Sequence, residues 1–225
     1  MPSIWIIIIG FMLLSWLISN QLQSRFRKYS RTPLRSGLSG REVAEKMLYE
    51  SGVEGVRIIS VPGRLTDHYN PIDRTVNLSP DVYQGRSVAA AAVAAHECGH
   101  AIQHAKAYSF LKMRSALVPV ISVSSRYMQW VLLIGVFTME VVPGILLAGI
   151  IMFATTTLFS FITLPVEFDA TKRALVWLTD TGLTRDAEYK QAKDALKWAS
   201  YTYVVAALAS LATLLYYVML YLRRR

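Results

Sequence analysis

Three of the chain's four histidines fall in the stretch "VAAHECGHAIQHAKAY", residues 93–108, which also holds the single cysteine. His96 and His100 are four residues apart, so on a helix both side chains project from one face, a turn apart. Two imidazoles placed in this way can hold one Zn²⁺ through nitrogens at about 2.0–2.1 Å. Glu97 follows the first histidine and is placed to act as general base on a metal-bound water. The H-E-x-x-H pattern therefore predicts a hydrolytic zinc site.

The neighbouring polar residues do not complete this site. Cys98 lies roughly 200° around the helix from His96 and is expected to be a small packing residue. His104 shares the histidine face but is roughly 12 Å along the axis from His96, so one ion cannot bind all three histidines. We expect His104 to line the cleft, with a direct catalytic role as the alternative. Lys106 stands where a longer histidine motif has its third histidine, so the third ligand must come from elsewhere.

The composition indicates a membrane protein. The chain has 225 residues, 53% of them hydrophobic, a mean hydropathy of +0.34 and a net charge of +9. In a soluble protein this charge would favour a nucleic-acid partner, but with so many apolar residues it indicates a basic cytoplasmic face and no nucleic acid. A single cysteine excludes an internal disulfide framework.

Four apolar stretches are long enough, with their flanks, to approach the ~20 residues that cross a bilayer. They cover residues 4–19, 118–137, 143–164 and 199–222. The first has neither a basic leader nor a small-residue cleavage site, so we interpret it as a retained anchor. The stretches predict a mainly α integral membrane protein with about four transmembrane helices.

Basic residues set the predicted orientation. They cluster after the first span, in "QSRFRKYSRTPLR", and again between residues 165 and 197, whereas the link "TMEVVP" has none. The positive-inside rule therefore places residues 20–117 and 165–197 in the cytoplasm. Four crossings put both termini outside, yet the chain ends in "LRRR". Either the last helix does not fully cross, or this tail is an exception to the rule.

The sequence predicts a small folded α+β domain over residues 20–117. Ser39 and Glu42 form a capping box before a short helix that Gly52 ends. The runs "VRIISV", "RLTDHY" and "RTVNLS" are β-prone and predict a short antiparallel sheet. Ser79 and Pro80 then start another helix, and a long alanine-rich helix follows from about Ser87 to Tyr108.

The third zinc ligand is expected downstream of the H-E-x-x-H helix. Glu167, in "LPVEFDATKRAL", follows Pro165 where the third span returns to the cytoplasmic face, and a carboxylate at a membrane boundary needs a partner such as a metal. The alternative is an interfacial charge paired with Lys172 or Arg173. Asp169, two residues on, is expected to orient a histidine.

Three other downstream carboxylates are weaker candidates for the third ligand. Glu188 and Asp194 lie among alternating charges in "RDAEYKQAKDALKW", a pattern typical of a solvated helix face. Glu140 falls on the outer side of the membrane in the predicted topology.

The stretch "LTDHYNPIDRTVNLSPDVYQGRSVAAAAVAAHECGHAIQHA", with "LPVEFDATKRAL" and "ALKWASYTYVVAAL", closely resembles the YugP-like membrane zinc metallopeptidases of bacteria over nearly the whole chain. The motif order also resembles that of the HtpX and CAAX prenyl proteases, in which a glutamate in an E-x-x-x-D pattern completes the zinc site. Glu167 matches that glutamate. Thr171 stands in place of the aspartate, and Asp169 is a candidate substitute.

The resemblance implies a zincin-like, gluzincin-type peptidase in the bacterial plasma membrane. His96, His100 and Glu167 would hold Zn²⁺, and Glu97 would be the catalytic base acting on a peptide or protein substrate. We expect the substrates to include membrane proteins under quality control. We expect the strand at 74–79 to be the edge that pairs with the substrate. His68 is a candidate for stabilising the oxyanion, with a hydrogen-bonded turn histidine as the alternative.

The chain divides into five predicted segments. These are a transmembrane anchor (1–22), a cytoplasmic zincin-like domain (23–117), a transmembrane hairpin (118–165), a cytoplasmic segment with the third ligand (166–197) and a C-terminal transmembrane helix (198–225). Two other interpretations are an intramembrane protease and a non-catalytic zinc-binding scaffold or chaperone. The alanine-rich helix is short for a span, and structural zinc usually has four protein ligands, so both are weaker.

Overall fold

The computed structural model describes residues 4–223, so Arg224 and Arg225 of the basic tail lie outside the described residues. The described chain is mainly helical, with three short strands near its N-terminal third. Its elements are α1 (Ile4–Tyr29), α2 (Gly40–Glu50), β1 (Arg57–Ser60), β2 (His68–Asn70), β3 (Thr75–Leu78), α3 (Pro80–Tyr83), α4 (Val88–Ala105), α5 (Ser109–Thr138), α6 (Pro143–Asp180) and α7 (Ala187–Leu222).

Four of these helices, α1, α5, α6 and α7, are long and apolar enough to cross a membrane. Each contains one of the predicted spans, so the prediction of about four such helices is confirmed by length and composition. The helices α6 and α7 have 38 and 36 residues, well beyond the ~20 that a bilayer requires. Their polar ends therefore continue the same helices, and Glu167 lies inside α6.

The chain forms two compact units. Among the described residues, one contains 4–17, 112–164 and 202–223, and the other contains 18–111 and 165–201. In the first unit, Leu132, Leu146 and Ile150 form a buried apolar cluster between α5 and α6. The hydroxyls of Thr157 and Ser210 lie 2.7 Å apart and join α6 to α7 in that unit.

The second unit holds the larger core, in which α2 packs against the alanine-rich α4. Val43, Ala44 and Met47 are fully buried on α2, at the helical spacing that the sequence predicts. The capping box at the start of α2 is confirmed, because Ser39 and Glu42 exchange side-chain to backbone hydrogen bonds. Small residues along α4 let its neighbours approach its backbone closely, which buries most of the helix.

The sheet is mixed and not antiparallel as predicted. Its order is β1-β3-β2, with β1 parallel to β3 and β2 antiparallel to β3. A tight turn, in which Oδ1 of Asn70 accepts from the backbone N–H groups of Ile72 and Asp73, joins β2 to β3 as a hairpin. All four residues of β3 are buried, and its central position in the sheet gives its backbone hydrogen-bond partners on both sides.

This order also corrects the expected substrate edge. The strand at 74–79 is the central one, so its backbone is already paired on both sides and cannot receive an extended peptide. The two edges of the sheet are β1 and β2.

Candidate metal centre

The two histidines of the H-E-x-x-H pattern lie side by side on α4. The ring centroids of His96 and His100 are 4.8 Å apart, and the rings are nearly perpendicular. Both side chains are largely withdrawn from solvent, with exposed fractions of 12% and 11%. The i, i+4 spacing thus brings the rings together as predicted.

Glu167 reaches these rings from α6. Its Oε2 lies 3.3 Å from Nε2 of His96 and 3.4 Å from Nε2 of His100, and its side chain is 2% exposed. Gly99 makes this approach possible, because a Cβ at that position would lie only 2.7 Å from the carbonyl oxygen of Ala170 on α6. The backbones of α4 and α6 therefore come together beside the ligand atoms.

The donor set fits a zinc ion. One ligand atom from each of His96, His100 and Glu167 can be chosen so that all lie within 4.8 Å of one another. Two ligands at about 2.0–2.1 Å from a tetrahedral ion stand about 3.3–3.4 Å apart, which agrees with both contacts of the Glu167 carboxylate. Two nitrogens and one carboxylate oxygen are also a donor set that zinc accepts.

Gln103 determines which nitrogen of His100 carries the proton. Its Nε2 lies 2.7 Å from the Val166 carbonyl oxygen and 2.8 Å from Oδ2 of Asp169, so this atom must be the amide donor. The amide oxygen then accepts from Nδ1 of His100 at 3.1 Å. Nε2 of His100 is left with a lone pair that faces Glu167, as a metal ligand requires.

Thr171 has the corresponding position beside His96. Ser200 donates to the Leu196 carbonyl at 2.9 Å, so its oxygen can accept from the hydroxyl of Thr171, 3.5 Å away. The Thr171 oxygen can then accept from Nδ1 of His96 at 3.3 Å. This chain also leaves Nε2 of His96 with its lone pair towards Glu167.

The pKa of His100 reflects this environment. Burial lowers it, but Glu167 raises it through its negative charge and through a hydrogen bond that the doubly protonated ring, unlike the neutral one, donates from Nε2, with smaller effects from Glu97 and Gln103. The net result is a pKa above the ordinary histidine value. The site thus favours positive charge at the point where the three ligand atoms converge.

Comparison with known proteins agrees with the chemistry of these residues. A family model described as "Putative neutral zinc metallopeptidase" matches residues 4–222. The chain belongs to this family. It is also 40% identical over 219 residues to the "Putative membrane protease YugP" of Bacillus subtilis, covering 94% of this chain and 93% of that protein. No solved structure matches the chain.

Glu97, which the sequence predicts as the base of this metallopeptidase-family chain, lies beside the cluster on α4. Its side chain is buried, with 7% of the residue exposed. Within residues 4–223 no hydrogen bond or salt bridge involves its carboxylate, which leaves both oxygens available to a water or a substrate.

The other two histidines stand apart from the cluster. Nδ1 of His68 donates to the Thr66 carbonyl at 2.8 Å, which is the turn contact weighed as the alternative to an oxyanion role. His104 is exposed, and its Nδ1 lies 2.7 Å from the hydroxyl of Tyr69. Burial raises the pKa of Tyr69, so its hydroxyl keeps the proton and donates to His104.

Cys98 packs against α2, as expected from its angle on α4. It is fully buried, and its sulfur lies 3.6 Å from the Ala44 carbonyl oxygen. Burial raises the pKa of the thiol, so it stays protonated and cannot serve as a thiolate ligand.

Sequence reasoning missed Gln103, which contacts His100, and Ser200, which contacts Thr171. Gln103 is three residues from His100, so helical spacing places the two on one face, but its role depends on the partners that α6 supplies. Ser200 lies on α7, and only the packing of that helix brings it to Thr171. Asp169, expected to orient a histidine, contacts Gln103 and Arg173, and so acts on His100 through the glutamine.

Proposed function

We propose that the protein is a membrane-bound zinc peptidase that hydrolyses peptide bonds. The observation that carries this proposal is the convergence of two imidazole nitrogens and the Glu167 carboxylate, with both Nδ1 atoms facing acceptors. Three acceptors aimed at one point repel each other unless a cation lies between them. A fourth protein ligand is absent from the cluster among the described residues, which leaves room for water as in catalytic zinc sites.

Each residue has a distinct task in this proposal. His96, His100 and Glu167 would hold zinc, which when bound acts as a Lewis acid and lowers the pKa of a bound water to about 7. Glu97 accepts a proton from the attacking water and delivers it to the departing amine. The water adds to the carbonyl carbon as the C–N bond breaks, giving a carboxylate and an amine.

The Glu97→Gln variant tests this assignment in the full-length protein purified in detergent. We expect it to keep zinc near the wild-type level and to lose nearly all cleavage of casein, because the ligands remain while the base is gone. Glu45→Gln, an exposed change on α2, is the matched control and should cleave like wild type. Undiminished cleavage by Glu97→Gln would refute the assignment of Glu97 as the base, and no cleavage by the zinc-loaded wild type would favour a zinc-binding scaffold.

The intramembrane alternative receives no support from the helices, because α4 is not among the candidate spans of the described chain. We propose instead that the site faces the cytoplasm from the bacterial plasma membrane and acts on peptides or proteins, including membrane proteins under quality control. The basic residues that flank the spans support this orientation.

Cysteine labelling tests the orientation. In a Cys98→Ala background, cysteines replacing Ser24 or Lys190 should be shielded from an impermeant thiol reagent in intact cells, whereas one replacing Glu140 should react. Reaction at position 190 but not at 24 would place the two halves of the site on opposite sides of the membrane and contradict the proposed orientation.

A further inference from the structure

A basic cleft with no part in the peptidase proposal lies beside the C-terminal turns of α1. It encloses about 520 Å³, within the range of ligand sites in proteins. Four arginines line it, together with one aromatic ring and one carboxylate: Arg27, Arg31, Arg64, Arg86, Phe26 and Asp81. We call this feature the basic cleft.

Two of the four arginines are already neutralised. Arg64 pairs with Asp81 at 3.6 Å, and Arg86 pairs with Glu42 at 2.9 Å. Within residues 4–223 the guanidinium groups of Arg27 and Arg31 form neither a salt bridge nor a hydrogen bond. The basic cleft therefore carries two uncompensated positive charges on one wall.

The start of α4 adds to this positive potential. Ser87, the N-cap of α4, lines the basic cleft, and its Oγ accepts from the backbone N–H of Ala90. The N-terminal end of an 18-residue helix carries a partial positive charge that favours a nearby anion. Guanidinium forks match the geometry of phosphate oxygens, so a phosphate group is the anion that this lining fits best.

The surroundings of the basic cleft favour a phosphate attached to an apolar chain. Arg27 is only three residues, about 4.5 Å of helix rise, beyond Ser24, where the uncharged run of α1 ends. Phe26 forms an apolar wall, and a second cleft of about 220 Å³ shares four residues with the first, Phe26, Arg27, Arg64 and Asp81. That second cleft adds Leu65, a large apolar side chain that is 48% exposed.

We propose that the basic cleft binds the phosphate headgroup of an anionic lipid. The headgroup lies between Arg27 and Arg31, and the adjoining apolar surface of Phe26 and Leu65 receives the start of the acyl chains. Basic clusters directly following an apolar helix recognise anionic lipids in this way.

Thermal unfolding of the full-length protein in a neutral detergent tests the proposal. We expect added phosphatidylglycerol to raise the melting temperature in a saturable manner and phosphatidylcholine to leave it unchanged. Arg27→Gln/Arg31→Gln should weaken the apparent affinity for phosphatidylglycerol about 10- to 30-fold, since each basic residue near a lipid surface contributes about fivefold. The control Arg57→Gln/Lys190→Gln removes the same charge from exposed positions outside the basic cleft and should stay within about threefold of wild type.

Three outcomes would overturn the proposal. Equal weakening in both double variants would show that the lipid responds to net charge and not to the basic cleft. Equal protection by inorganic phosphate would assign the site to a free anion. If Arg27→Gln/Arg31→Gln folds poorly, the variant Arg27→Lys/Arg31→Lys replaces it, because lysine keeps the positive charge but lacks the guanidinium fork. An affinity for phosphatidylglycerol unchanged from wild type in that variant would reject the site. A loss of about fivefold in that variant would support it.

Discussion

Replacing Gln103 separates the positioning of His100 from the stability of the fold. In Gln103→Leu the shape is nearly kept, but Nδ1–H of His100 loses its acceptor at 3.1 Å. Asp169 keeps its hydrogen bond from Arg173 at 2.6 Å, so the ring of His100 is the group that loses its hydrogen-bond partner. An unsatisfied buried donor costs about 1–3 kcal/mol, and a tautomer with the proton on Nε2 avoids that cost. That tautomer cannot bind a metal through Nε2.

The same energy sets the expected effect on zinc. A bias of about 1–3 kcal/mol towards the wrong tautomer corresponds to a zinc affinity about 5- to 150-fold weaker, in line with losses caused by removing residues that orient metal ligands. Competition with a chromogenic chelator measures this affinity directly, without any substrate. Gln84→Leu, an exposed change at the end of α3, should bind zinc like wild type.

Gln103→Glu provides the comparison that could refute the reasoning. Its carboxylate still accepts from Nδ1 of His100 but faces the Asp169 oxygen, 2.8 Å from the former amide nitrogen. We expect Gln103→Glu to melt lower than Gln103→Leu and yet to bind zinc more tightly. If zinc affinity follows melting temperature in both variants, or if Gln103→Leu binds zinc like wild type, Gln103 is a packing residue alone.

Three further changes test the rest of the site through zinc content and chelator competition. Glu167→Ala should lower zinc content about as much as His100→Ala, and full retention would show that another residue is the third ligand. Thr171→Val should weaken zinc binding by up to about tenfold, whereas Thr171→Ser should bind zinc like wild type. Equal zinc affinities in the two variants would show that the hydroxyl does not orient His96. Gly99→Ala should destabilise the protein by about 1–3 kcal/mol and lower its zinc affinity, because the new Cβ would lie 2.7 Å from the Ala170 oxygen. Unchanged zinc affinity would show that α4 and α6 can separate without disturbing the ligands.

The sequence identified the converging side chains because their signals are local. The spacing of His96 and His100 follows from helix geometry alone, and Glu167 stood out as a carboxylate beside Pro165 at the end of an apolar run. Gln103 carries no charge and has no reactive group, so its role appears only when α6 supplies Val166 and Asp169. Side chains that orient ligands are set by tertiary packing, which a single sequence does not display.

Charge patterning was a poorer guide on α7. Alternating charges favoured a solvated face, yet Glu188 is buried and accepts from the backbone N–H of Arg35 at 2.8 Å. Asp194 accepts from the hydroxyl of Tyr29 at 2.6 Å and lies 3.4 Å from Arg25. The solvated-face interpretation is therefore wrong for Glu188, whereas Asp194 stays about one-third exposed while it pairs. Their partners lie more than 150 residues away, on segments whose packing the sequence pattern does not reveal.

The sheet order was unpredictable for a related reason. Three short β-prone runs in succession fit a meander as well as a hairpin with a parallel third strand, since the strand patterns are the same. Burial decides which strand is central. Val76 and Leu78 of β3 are fully buried, and only the central position in the sheet covers both faces and both edges of that strand.

The register of α6 against α4 is the structural variable on which the metal centre depends most. Between residues 166 and 171, α6 supplies the Val166 carbonyl and Asp169 to Gln103, Glu167 to the ligand cluster and Thr171 to His96. A slip of one residue would turn these groups by roughly 100° and remove them from α4 together. The contact of Gly99 with Ala170 opposes such a slip, since few other pairs of residues allow so close an approach. The Gly99–Ala170 contact therefore fixes the same register that the zinc ligands require. Because zinc binds only when α4 and α6 are packed in this register, zinc binding should stabilise the α4–α6 pair.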